Sequence, residues 1–362
     1  MDKPIAVLGG GAAAQTIAAH LTLKGFNINI WEHPSFEEKF KPILEKGIIE
    51  CIGLVEGIAK LHKVTTNLKE AVEDVEIINI AIPSLGHEAF FDELIPHLKD
   101  GQIVVVWSGD AGSLRLAKKL KDIVPEKNIL IAETHTMPYG TRIIEPGKVN
   151  ILVLAKNICL AALPAKETEK VVNIVKNLYP NIIPADNVLA ISLSNPNPTV
   201  HPPGSLLNVG RIEYSKGEFY MYREGITAAT ARVVRALYDE THSVAKAFGF
   251  NIIEYEDEDF RNTGTIMGVE FWAPFDKLGI IADIKGPSTL DDRYIIEDLP
   301  YGLVHRSQLG NLVNVSTPII DGIINIGAVI CETDFWKGRT LKDLGLAGMT
   351  KEEIMNYLKE GK

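Results

Sequence analysis

His201 lies in the stretch Leu193 to Asn208, L-S-N-P-N-P-T-V-H-P-P-G-S-L-L-N, between a strand-rich N-terminal half and a C-terminal half of helical periodicity. Imidazole gives and takes a proton near neutral pH, so a histidine fixed at such a seam is the first candidate for acid–base chemistry. Four prolines and a glycine in sixteen residues predict a rigid, extended connector, because proline removes a donor from helix and sheet alike. A second group of candidates stands in D-D-R-Y-I-I-E-D-L-P-Y-G-L, Asp291 to Leu303. Arg293 and Asp298 are spaced off a common helix face, and Pro300 disfavours helix at Leu299, so this segment is expected to bend. On spacing alone, Asp298 reads as a helix N-cap before Pro300 and Arg293 as half of a surface ion pair.

The N-terminal half carries a nucleotide signature. The apolar run Pro4 to Leu8 leads into Gly9-Gly10-Gly11-Ala12-Ala13-Ala14, which fits G-x-G-x-x-A. Gly9 permits the strand-to-helix turn, Gly11 admits a pyrophosphate against the backbone, and small Ala14 lets the helix pack on its strand. A helix from Ala12 to Leu23 should end at Lys24-Gly25. The next strand, Asn27 to Trp31, is followed by Glu32. An acid about 20 residues past the glycines accepts both hydroxyls of an adenosine ribose and repels a 2′-phosphate. NAD is therefore the expected cofactor.

Strand–helix alternation continues through predicted strands at Glu76–Ile82, Gln102–Trp107 and Ile129–Ala132, with Asn67 and Glu70 capping a helix to Val75. Loops at residues 83–87, 108–112 and 133–142 should line the rim where an open parallel sheet binds ligands. Gly9, Gly11, Ala12, Ala13, Ala14, Glu32, Pro83 and His87 are the expected cofactor contacts. His87 and His135 also read as loop or cap residues. Arg142 reads either as a carboxylate-gripping residue or as a surface arginine, and it is paired with Asn208 as an expected substrate contact. Two strands and a helix from Lys166 to Leu178 complete the sheet. In the C-terminal half, a helix over Arg223–Phe248 should stop at Gly249, and Thr317-Pro318 should cap one over Ile319–Cys331.

A chain of 362 residues, 46% hydrophobic and 23% charged, suits a globular protein of two domains. The expected boundary is residues 1–187 and 188–362. A net charge of −10 argues against nucleic acid or an anionic membrane, so an anionic ligand must rely on local arginines or helix N-termini. No apolar run reaches membrane-spanning length, and with the first strand beginning by Pro4 no leader is expected, so the expected compartment is the cytoplasm. Cys51, Cys159 and Cys331 read as buried free thiols. The acidic run Glu254, Glu256, Asp257, Glu258, Asp259 lacks the order of a calcium loop, and no metal site is expected. A homodimer is compatible with the sequence.

Taken together, four segments resemble the opine dehydrogenase family, which includes octopine, nopaline and carboxyethyl-norvaline dehydrogenases. They are the G-x-G-x-x-A turn, E-T-H-T-M-P-Y-G-T-R, N-P-N-P-T-V-H-P-P and R-Y-I-I-E-D-L-P-Y-G-L, and they span nearly the whole chain. The resemblance implies an α/β Rossmann-type doubly wound parallel sheet, then an all-helical domain, with the active site between them. It implies NAD(P)H-dependent reductive condensation of an amino acid with a 2-oxo acid, so NADP is kept beside NAD. By match to the family's motifs, His201 corresponds to the catalytic histidine, Asp298 to its carboxylate partner and Arg293 to a substrate-carboxylate ligand. Two other readings compete with this one. A ketopantoate-reductase-like enzyme would look to a lysine at the start of the second domain, but none lies between Lys176 and Lys216. A non-catalytic NAD-binding sensor would lack a proton donor, which His201 with Asp298 argues against.

Overall fold

The computed structural model describes residues 3–254 and 284–361. They form two compact units, Met1–Ile191 with Tyr357–Lys362, and Ser192–Asn356. The expected break at 187/188 therefore shifts into the helix Val188–Ser194. The last residues also leave the helical unit: Tyr357 and Leu358 are buried, and Glu360 pairs with Lys166 at 2.9 Å.

The first unit contains twelve strands: β1 Ile5–Leu8, β2 Ile28–Trp31, β3 Ile48–Gly53, β4 Gly57–Lys60, β5 Lys63–Thr65, β6 Ile77–Ile80, β7 Ile103–Trp107, β8 Leu130–Thr134, β9 Tyr139–Glu145, β10 Lys148–Leu154, β11 Ile158–Leu163 and β12 Ile182–Pro184. Eight of them make one sheet in the order β12-β11-β8-β7-β6-β1-β2-β5. From β5 to β8 all neighbours are parallel. The chain leaves β1 toward β2 and then returns to its other side at β6, which makes the C-terminal edge of β1 and β6 the topological switch point of a doubly wound sheet. Strands β1, β2, β6 and β7 are buried along their whole length, as continuous apolar runs covered on both faces must be. Alternation then divides them: Ile5, Val7, Ile28 and Val105 enter one core, while Ala6, Leu8, Ile78 and Val104 enter the other.

The far edge departs from the all-parallel expectation, because β11 runs antiparallel to β8. The segment expected to be one loop over 133–142 and the strand after Lys148 also belong elsewhere. β9 and β10 form a hairpin within a second sheet of order β4-β3-β10-β9. Pro146-Gly147, with Gly147 at φ +84°, suits the two central positions of a tight turn. This sheet covers the helix Ala12–Leu23, where the hydroxyls of Thr16 and Thr141 meet at 2.8 Å and His20 Nδ1 lies 2.7 Å from Tyr139 Oη. The three cysteines are free, Cys51 and Cys159 buried and Cys331 partly exposed.

The described part of the second unit is helical. Its 21-residue helix Ala228–Phe248 is capped by Thr227, accepting from Thr230 N, and closed by left-handed Gly249. A separate core in this unit gathers Leu206, Leu237, Ile295, Leu299, Leu303 and Ile320. The stretch expected to be an extended connector is instead helical over Asn197–Leu206. Proline's φ near −65° is itself a helical value, and Pro198 sits in the first turn, where no N–H is needed. Pro202 and Pro203 do forfeit ladder bonds, but every residue from Pro198 to Leu206 is buried. That burial outweighs a local cost of about 3 kcal/mol for an interior proline. Thr317 precedes Pro318–Ile330 as expected but caps no backbone group; its hydroxyl meets Asp321 Oδ1 at 3.3 Å. The acidic residues 256–259 lie outside the described residues.

Candidate active site

Two sets of residues bear on function, one in each unit. The first is the turn between β1 and the helix Ala12–Leu23. Gly9 has φ +118°, and a Cβ there would stand 2.9 Å from Ala81 O, so conformation and contact both require glycine. At Gly10 an added Cβ would collide with the Glu32 carboxylate, which lies against this turn. At Gly11 it would meet nothing within 4 Å. Ala14 is fully buried, while Gly11 is exposed and Ala12 and Ala13 are half-buried. The helix has no side-chain N-cap. An open space over uncapped N–H groups at a helix N-terminus is what a pyrophosphate fits, and the Glu32 carboxylate borders the same turn. Burial pushes the Glu32 carboxyl above its ordinary range, opposed by the N–H groups of His33 and Gly10. His33 N donates to it at 2.8 Å.

The neighbouring rim is held from below. The buried Glu133 carboxylate accepts from Ala111 N and Ser113 N, each at 2.9 Å. It thereby secures a loop in which Ser108, Asp110 and Ala111 all have positive φ. Ser84 Oγ donates to Gly109 O at 3.3 Å. Pro83 is exposed at the end of β6. His87 is not: it is fully buried, with Nε2 3.0 Å from Ile82 O and its ring stacked on Phe91 at 4.7 Å. That makes His87 a prop for the loop, correcting its expected contact with cofactor. His135 likewise accepts from Cys159 N at 3.1 Å, and burial pulls its pKa down to about 4. Arg142 lies on β9, exposed, its Nη1 donating to the adjacent Thr141 O. Strand alternation turns Thr141 inward and Arg142 to solvent, which favours the surface reading.

The second set surrounds His201. Its Nδ1 lies 2.8 Å from Asp298 Oδ2, and both side chains are almost completely buried. Its Nε2 lies 3.1 Å from Tyr222 Oη, and its face stacks on Tyr294 with centroids 3.8 Å apart and planes 11° from parallel. Asp298 reaches this position because the helical turn Arg293–Ile296 opens into a wider π turn over Asp298–Leu303, which accommodates Pro300 within continuing helix. Asp298 is thus no N-cap; Asp292 takes that role, accepting from Tyr294 N at 3.0 Å. Burial, reinforced by adjacent Glu297, pushes the Asp298 carboxyl well above the usual carboxylate range against the pull of Arg293 and Arg306. Arg293 is half exposed, 3.4 Å from Glu297 Oε2, with its guanidinium 5.4 Å from the centroid of the same Tyr294 ring. His201, Asp298 and Arg293 therefore share one neighbourhood.

Asn208, the other expected substrate contact, is half-buried. Its amide nitrogen is committed to Gly204 O and Gly225 O, both at 2.9 Å. Sequence reasoning missed four residues of this cluster: Tyr222, Tyr294, Glu297 and Arg306. Tyr294 and Glu297 stood in the quoted R-Y-I-I-E-D segment, but nothing in sequence ties Tyr222 to His201. Fully buried Arg306 donates to Thr199 Oγ1, Ser192 O and Asn195 O at 3.2, 2.8 and 2.9 Å, pinning the start of the His201 helix. Among the described residues no group of His, Cys, Asp and Glu could hold a metal ion, and no helix is long and apolar enough to cross a membrane.

Comparison with known proteins agrees with both halves. Residues 184–331 match the model of the α-helical domain of NAD/NADP octopine/nopaline dehydrogenases. Residues 4–132 match the N-terminus of NAD-dependent glycerol-3-phosphate dehydrogenase. An opine dehydrogenase of Arthrobacter sp. (strain 1C) is 33% identical over 98% of both chains. A solved octopine dehydrogenase with NADH and L-arginine shares the fold at a TM-score of 0.72 and 18% identity, covering 99% of this chain and 98% of that one. A ketopantoate reductase from Ralstonia eutropha JMP134 has the same plan at a TM-score of 0.59 and 13% identity, covering 91% and 98%. With a third of residues shared along almost the entire chain, and a helical-domain model that spans His201 and Asp298, the relationship goes beyond fold: the chain belongs to the opine dehydrogenase family and is an NAD(P)-dependent oxidoreductase.

Proposed function

We propose that this protein condenses the amino group of an amino acid with a 2-oxo acid and reduces the product to a secondary amine, with His201 as general acid and base. The observation that carries the reading is the buried 2.8 Å contact between His201 Nδ1 and Asp298 Oδ2. A carboxylate on one ring nitrogen fixes the tautomer, supports the imidazolium and leaves the other nitrogen to handle a proton. The reaction needs that proton: the hydroxyl of a carbinolamine leaves as water only once protonated. A bound NAD(P)H supplies the hydride for the resulting C=N bond. Arg293, half exposed and flanking Tyr294, can grip a substrate α-carboxylate with a planar fork. Glu32 against Gly10 supports NAD over NADP, because a second anion at the ribose would face its carboxylate.

NADH oxidation with pyruvate alone, and with pyruvate plus each of a panel of amino acids, tests the reading. Turnover that requires both substrates is expected. Turnover with pyruvate alone would replace it with a simple 2-oxo acid reductase, as in the ketopantoate reductases. Silence with every pair, while NADH still binds, would replace it with a nucleotide sensor.

A further inference from the structure

His201 offers neither ring nitrogen directly to a substrate. Nδ1 faces Asp298 and Nε2 faces the Tyr222 hydroxyl, one ring face is covered by Tyr294, and the residue is 4% exposed. The proton must therefore travel through Tyr222, or Tyr222 must swing away. The turn that carries it is fixed from several sides. Gly225 O accepts from both Asn208 Nδ2, at 2.9 Å, and Thr230 Oγ1, at 3.0 Å. Tyr220 N donates to Glu224 Oε1 at 2.8 Å. Glycines at 204 and 286 let the backbone lie against Met221, where any Cβ would come within 3.0 Å of it. A segment braced in this way suits transmission better than movement.

Resting on the function proposed above, we propose that Tyr222 is the residue that passes the proton between His201 and the substrate oxygen. With Asp298 accepting from Nδ1–H, the neutral ring receives the Tyr222 O–H on Nε2; once the ring is protonated, Nε2–H donates to Tyr222 Oη instead. In the dehydration step the Nε2–H bond breaks and its proton forms a new O–H bond on Tyr222. The original phenolic proton passes to the carbinolamine hydroxyl. The C–O bond then breaks with its electron pair leaving on water, and the nitrogen lone pair closes the C=N bond of an iminium. One proton enters the substrate, one water leaves, and Tyr222 ends neutral, hydrogen-bonded to a neutral imidazole.

Tyr222→Phe removes the relaying oxygen and keeps the ring. It is expected to lower kcat by about 10²-fold, the lower end of the effect of a lost acid–base group. The KM of both substrates, NADH binding by fluorescence and the melting temperature should stay at wild-type values. Wild-type or faster turnover would overturn the relay, the faster case marking Tyr222 as an obstruction. A slow variant with weakened NADH binding or a lowered melting temperature would also overturn it, since packing would then account for the loss. His201→Ala in the same assay separates the two proposals. If it is inactive while Tyr222→Phe is normal, only the relay fails; if both are normal, the role given to His201 fails as well.

Discussion

The glycine turn of the first unit and the His201 pocket of the second are built on opposite principles. The turn uses main chain: Gly9 and Gly10 matter for the Cβ they lack, Gly11 leaves open space, and the Glu32 carboxylate is set against it. Its residues are close in sequence, so a strand, a turn and a helix start suffice to build it. The pocket uses side chains from distant segments. His201 and Asp298 are 97 residues apart, His201 and Tyr222 are 21, and Arg306 holds the His201 helix in place from further on still. A backbone site should therefore change by degrees, in cofactor affinity, whereas a side-chain relay should lose turnover with a single atom and keep its cofactor.

The sharpest test of that contrast is His201→Ala, for which kcat should fall by about 10²–10⁴-fold with NADH binding intact in a fluorescence titration; a weakened NADH affinity would blur the distinction. Asp298→Asn comes next, with a fall in kcat of roughly 10²-fold expected from loss of the charge behind the imidazole. Its stability should move the other way. Because the folded-state pKa of Asp298 is raised, the native state binds this proton more tightly than the unfolded chain. Stability is therefore lost as pH rises from the unfolded carboxyl value, about 4, through the folded one. Asparagine has no such proton, so the variant should melt at neutral pH no lower than wild type, with a flatter pH dependence. A clearly lower melting temperature would mean that the ionised pair stabilises the fold.

On the backbone side, Gly10→Ala should displace the Glu32 carboxylate and weaken NADH binding by about 10- to 100-fold, the equivalent of one charge-assisted hydrogen bond. Its kcat at saturating NADH should change little. Glu32→Ala should cost about tenfold in NADH affinity and leave NADPH unharmed; a wild-type preference for NADPH would reject the ribose assignment. Since burial raises the Glu32 carboxyl, NADH affinity should begin to fall, on acidification, at a higher pH than an ordinary glutamate would give, and the glutamine variant should lack that fall.

Much of the first unit was legible because its rules are local. Buried parallel strands read as unbroken apolar runs, and Asn67 does accept from Glu70 N as the capping pattern requires. The β9–β10 hairpin is less legible, because residues 133–142 read as a rim loop and only the Pro146-Gly147 turn signals a hairpin. In the second unit, the proline content of Asn197–Leu206 pointed away from helix, since propensity counts missing donors but not the burial that offsets them. Residue type and location along the chain do not reveal that His87 is buried, that Arg142 is exposed on its strand or that the Asn208 amide nitrogen is bonded to two carbonyls.

From its sequence alone, this chain specified a doubly wound sheet and a glycine turn with an acid behind it, and it marked His201, Asp298 and Arg293, which the structure brings into one neighbourhood. Each follows from spacing within one element, or from motifs that match a family. Tertiary structure alone decided that the His201 segment is helical and that Tyr222 closes off the imidazole nitrogen opposite Asp298. Those outcomes depend on which distant side chains meet in a desolvated core, and the energies that select them, burial against lost hydrogen bonds, exist only once the chain has packed.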